Sequence, residues 1–259
     1  MDKSRVLGFV IGFICIGAIV AVSLLEPIVQ DVSYHNFADS AKYFGIPNFW
    51  NVVSNIPFLI VGVMGLQQLK KLVIIPEMGL AYWLLFLGVA LVAFGSGYYH
   101  LNPNNQTLVW DRLPMTIAFM SLFAVVIAEF INQQRGSLLL LPLLIVGVAS
   151  VFFWQWTESK GAGDLRLYVL VQFLPIILIP LIIFVYPSKF TKVSAYWWLL
   201  LAYVFAKFLE YFDLQIYTFF NQQMSGHAIK HVAAAIGMYV LLRGFTNRVN
   251  NLASTTEPR

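Results

Sequence analysis

The chain alternates between long apolar runs and short polar turns. The runs are continuous and about twenty residues long, the length that crosses a bilayer as an α-helix. Strands of a membrane barrel would instead alternate apolar and polar residues over about ten positions. The pattern predicts eight spanning helices, over 6–25, 49–69, 78–99, 113–131, 137–154, 165–186, 194–212 and 228–242. The connections are short, so neighbouring helices are expected to run antiparallel. The expected fold is an all-α integral membrane protein, a seven-transmembrane-helix bundle plus one extra N-terminal transmembrane helix. Its parts are an N-terminal anchor over 1–28, an exoplasmic segment over 29–47, the seven-helix domain over 48–245 and a cytoplasmic tail over 246–259.

The first run follows Asp2, Lys3, Ser4 and Arg5. A positive start before an apolar run also describes a secretory leader. The run is longer than the core of an ordinary leader, and no small-x-small cleavage site stands out. A retained anchor is therefore expected; a cleaved leader would leave seven helices.

Composition narrows the class further. The chain is 59% hydrophobic and 11% charged, with a mean hydropathy of +0.76. Soluble domains carry roughly a quarter charged residues, so a water-soluble core is excluded. The net charge of +4 and the pI near 9.1 come from basic residues gathered in short loops. That clustering is a topology signal, and no nucleic-acid partner is expected. The single cysteine, Cys15, excludes an internal disulfide and any cysteine-rich metal cluster.

With a cytoplasmic N-terminus, the inner loops hold Lys70, Lys71, Arg135, Lys189 and Lys192, and the tail adds Arg243, Arg248 and Arg259. The outer loops hold only Lys42, Lys160 and Arg166. This bias sets the orientation and puts both termini on the cytoplasmic side. It also gathers His100, Asp111, His227 and His231 at the outer, periplasmic or lumenal, face. The compact loops and the lack of an evident retention signal point to a bacterial inner membrane.

Three of the four histidines fall at the ends of apolar runs: His100 in FGSGYYHLNP, and His227 and His231 in SGHAIKH. His227 and His231 share one helix face by their i,i+4 spacing. Ionisable groups at membrane depth are costly and mark function. Three neutral imidazoles with an open fourth position form a catalytic zinc site. Three hydrogen-bonded histidines lining a helix interface are the alternative. Ser96 lies one turn before His100, flanked by Gly95 and Gly97, which admit a close approach. A membrane-helix serine also bonds its own backbone. Asp111 follows a turn-rich stretch and begins the fourth predicted helix, either as a simple cap or as a group turned back toward His100. Lys207, Glu210 and Asp213 read as an ion-pair ladder, with Asp213 placed to orient a histidine. Trp50, Trp110, Trp154, Trp156, Trp197 and Trp198 read as interfacial anchors. Asn51, Ser54 and Asn55 read as helix-packing hydrogen bonds.

The ordered motifs PNFWNVVSN, FGSGYYH, DRLPM and SGHAIKHVAAAIG resemble those of the alkaline ceramidases. These belong to a superfamily of seven-helix membrane hydrolases that includes adiponectin-type receptors and Per1-like proteins. The resemblance spans roughly 48–242. It implies one catalytic Zn2+ held by His100, His227 and His231, with Ser96 and Asp111 acting beside it. It implies a ceramide-like membrane lipid as substrate, cleaved at its amide to a sphingoid base and a fatty acid. The family also carries a Ca2+ site in the segment before PNFWN. Here Asp31 and Asn36 match, but Tyr34 and Asn48 stand where carboxylates are expected, so a full calcium site is not expected. The residues alone leave two alternatives: an ester or phospholipid hydrolase with the same zinc site, or a non-enzymatic, receptor-like lipid-binding protein. They indicate no oligomeric state.

Overall fold

The computed structural model describes residues 3–251. Asp2 and most of the expected tail, 252–259 with Arg259, lie outside the described residues. Among the described residues there is no β-strand, only the isolated bridges Tyr43–Ile46 and Phe190–Asn250. The protein is an all-α membrane protein, and six of its helical segments are long and apolar enough to cross a bilayer.

The helices are α1 (Lys3–Ser23), α2 (Phe49–Val53), α3 (Ile56–Gln68), α4 (Gly79–Leu101), α5 (Asn105–Val126), α6 (Gln133–Ser159), α7 (Arg166–Val185), α8 (Ser194–Tyr211), the short α9 (Asp213–Phe219) and α10 (Gly226–Asn247). Every expected segment is helical, with shifted ends. The expected seventh segment, α8, is not among the six, and of α1 only the apolar stretch Gly8–Ser23 enters that comparison. In α8 the apolar run is diluted by Lys207, Glu210 and several Tyr and Trp residues. The expected second helix is broken at Ser54 and Asn55, because Pro57 begins α3 and cannot donate a hydrogen bond back into α2. The fourth begins well before 113. Asn104 caps α5 through a reciprocal pair with Thr107, so Asp111 lies inside the helix rather than at its start.

α4 packs against α3 and α5, α5 against α6, and α10 against α8 and α3, while α1 lies along α7. One close approach matters for the site. A Cβ at Gly95 would collide with the Trp110 carbonyl, so only glycine lets α4 and α5 touch there. Gly97 has open space around it. At the end of α1, Arg166 donates to the Leu25 carbonyl at 2.7 Å. Its hydrogen bonds to Asp164 hold that carboxyl below the usual carboxylate range.

The basic loops converge at one end of the bundle. Val73 N–H donates to the Phe245 carbonyl at 2.9 Å, and Asn251 N–H to the Lys189 carbonyl at 2.8 Å. Arg248 was expected to be a tail charge, yet it is buried at 3% exposure. Its guanidinium donates two hydrogen bonds to Glu129, at 2.9 and 2.7 Å, and one to the Val73 carbonyl at 2.7 Å. Glu129 lies in the π-helical turn Ile127–Ile131 that ends the α5 span, and it accepts from the hydroxyls of Tyr82 and Tyr196 as well. Phe190 and Phe245 rings lie against the guanidinium at 4.0 and 4.5 Å. Both carboxylate oxygens and all three guanidinium nitrogens of this buried pair thus have hydrogen-bond partners, the condition under which such a pair survives desolvation.

The tryptophans divide. Trp110, Trp156, Trp197 and Trp198 are exposed, as interfacial anchors are. Trp154 is instead fully buried, with Arg112 stacked on it at 4.3 Å. The tryptophan face draws in the cation, which the hydropathy pattern alone does not register.

Removing one partner of the Glu129–Arg248 pair strands the other without water. Arg248→Ala should therefore destabilise the protein by about 3–5 kcal/mol. Denaturant titration in detergent micelles would measure it, and an unchanged midpoint would contradict this account.

Candidate metal centre

Three helix ends build the centre. α4 carries His100 in its last turn, and the tight 102–104 connection returns the chain into α5. Ser225 caps α10 by accepting from Ala228 N–H at 3.1 Å, which fixes the helix start just before His227. His231 follows one turn later on the same face.

All three imidazoles are buried, and one nitrogen from each lies within 4.8 Å of the others. The ring centroids are 5.0 Å apart for His100–His227, 5.1 Å for His100–His231 and 5.0 Å for His227–His231. Packing three polar rings against one another in an apolar bundle is unfavourable unless something joins them. His100 Nδ1 is buried with no hydrogen-bond partner. His231 Nδ1 lies 2.8 Å from Ser54 Oγ, whose hydroxyl donates to the Asn51 carbonyl at 3.3 Å. Ser54 therefore accepts from His231 Nδ1–H, and this tautomer leaves the Nε2 lone pair free. Neutral nitrogen donors with unshared lone pairs, grouped at this spacing, fit a zinc ion.

The fourth histidine, His35, is spent elsewhere. Its Nδ1 pairs with Tyr99 Oη at 2.8 Å and its Nε2 with Asn105 Oδ1 at 2.7 Å.

Ser96 and Asp111 lie on α4 and α5 where the Gly95 contact brings the two helices together. Together with His231 they line a cavity of about 470 Å³ whose remaining wall is mostly apolar. That volume falls in the range of small-molecule sites. The charged group expected around 207–213 splits in two. Glu210 binds Lys207 at 2.6 Å and Lys230 at 2.5 Å. Asp213 leaves the ladder and accepts from the backbone N–H of His227 at 2.7 Å and of Ala38 at 2.9 Å. It orients a histidine through the main chain, not through the ring.

Sequence reasoning missed Phe37. Its ring centroid lies 4.2 Å from that of His227 and 4.8 Å from that of His100, so the segment between α1 and α2 roofs the centre. Nothing in a lone phenylalanine outside the apolar runs signals this. Ser54 was read as a packing residue; its histidine partner lies 177 positions away. In the same segment Asp31 caps a short helical turn by accepting from Ser33 N–H at 2.8 Å, and Asn48 donates to the His100 carbonyl at 2.8 Å.

The profile of the family described as Ceramidase matches residues 40–255. The chain belongs to the ceramidase family. The match begins after α1 and takes in the three histidines, Ser96 and Asp111, but not Phe37. A comparison with curated proteins found no match.

If Ser54 fixes the His231 tautomer, Ser54→Ala should weaken metal affinity by roughly 10- to 100-fold while leaving the three histidines in place. A competition titration against a chelator of known affinity would read the change; equal affinity in both proteins would contradict the assignment.

Proposed function

We propose that this ceramidase-family protein is a zinc-dependent intramembrane lipid amidase. It would hydrolyse the N-acyl bond of ceramide-like sphingolipids to a sphingoid base and a fatty acid. The observation that carries this reading is the cluster of three buried imidazoles, one of which, His231, lines a largely apolar cavity together with Ser96 and Asp111.

His100, His227 and His231 would hold the ion. Zinc there would supply a Lewis acid for the acyl oxygen and acidify water toward neutral pH. The chain's own groups carry the rest. Asp111 accepts a proton from the attacking water and returns it to the departing nitrogen as the C–N bond breaks. Ser96 donates a hydrogen bond to the oxygen on which negative charge develops. The apolar wall takes the acyl chain, and Phe37 limits water above the imidazoles. Loop charge favours an outer-face centre with cytoplasmic termini.

Substitution of His100, His227 or His231 by alanine should abolish stoichiometric zinc, read by elemental analysis of purified protein. Asp111→Asn should retain zinc and lower kcat by roughly 10²–10⁴-fold on a labelled ceramide. Matched amide and ester lipids separate the amidase from an esterase. A zinc-loaded protein inert on both would overturn the proposal.

A further inference from the structure

Among the described residues, the lysines that line the cavity have an acidic partner and its arginine does not. Lys207 and Lys230 share Glu210. Asp31 accepts from the Ser33 N–H. Arg112 lines the same cavity, is 7% exposed and makes no ion pair among the described residues. Its guanidinium is held between the rings of Trp154 at 4.3 Å and Tyr168 at 4.6 Å. Its Nη2 donates to the neutral Gln30 Oε1 at 2.5 Å, while Nη1 is buried without a partner.

Two roles compete for this residue. As a strap, Arg112 would tie the exoplasmic segment to the bundle through Gln30. That explains Nη2, but neither the idle Nη1 nor the missing counter-ion. A buried cation without an anion is unfavourable, and two aromatic faces offset only part of that penalty. An arginine fork held rigid by stacking is suited to planar, two-oxygen anions.

Amide hydrolysis near neutral pH yields a carboxylate and an ammonium. The new carboxylate would form beside Asp111, a like charge. We propose that Arg112, the adjacent residue, is a binding residue for the lipid carboxylate, receiving the released fatty acid on its unpartnered Nη1 edge. This rests on the acyl-hydrolase reading above. The shared chemistry is a single-chain lipid anion, whose other source would be the phosphate of an acidic head group.

The test is equilibrium binding to the zinc-loaded protein of three probes of equal chain length: palmitate, its fatty alcohol and its alkyl phosphate. Arg112→Met should weaken palmitate by roughly ten- to hundredfold and leave the alcohol unchanged. Arg112→Lys, which keeps the charge and the fold but loses the fork, should fall between. Zinc content and thermal unfolding are followed in each variant. Palmitate affinity unchanged in Arg112→Lys, or in a folded Arg112→Met, would overturn the inference. So would alkyl phosphate binding more tightly than palmitate in an Arg112-dependent way. If ceramide is hydrolysed but palmitate ignores Arg112, this inference fails and the amidase stands. If palmitate needs Arg112 but no acyl lipid is cleaved, the amidase fails and the carboxylate site stands.

Discussion

Three imidazole rings held against one another inside an apolar bundle are the constraint from which the remaining arrangement follows. Neutral rings in such contact need a common partner, and their spacing suits one small cation. The rest of that end of the bundle serves this grouping. Ser225 starts α10 at the right residue, Ser54 selects a tautomer, Asp213 holds the first turn and Phe37 covers the rings. The Gly95 contact then sets Ser96 and Asp111 beside the same point.

The helices were legible because the bilayer demands long apolar runs, and no soluble alternative offers the same composition. The histidines were legible because polar groups are rare in such runs. Helix ends were less so. α5 starts at Asn105, since a capping pair of Asn104 and Thr107 acts locally and hydropathy is blind to it. Proline at 57 split a run that hydropathy reads as continuous.

What stayed hidden depends on partners far apart in sequence. Trp154 looks like an interfacial anchor until Arg112 is found stacked on it. Arg248 looks like a loop charge until Glu129, 119 positions earlier, is found beneath it. Asp213 belongs by spacing to the Lys207–Glu210 ladder, yet the free N–H groups at the start of α10 and at Ala38 claim it. In each case spacing sets which residues can meet locally, while burial decides which meeting prevails.

The α10 helix is gripped at both ends. One terminus supplies two of the three clustered imidazoles, and the chain leaves the other through Arg248, locked onto Glu129. A helix of 22 residues spans about 33 Å. It therefore behaves as a stiff strut running between leaflets. Mechanical load at the distal terminus, from a tether or a fused reporter joined just past Arg248, would be delivered along its axis to the three histidines.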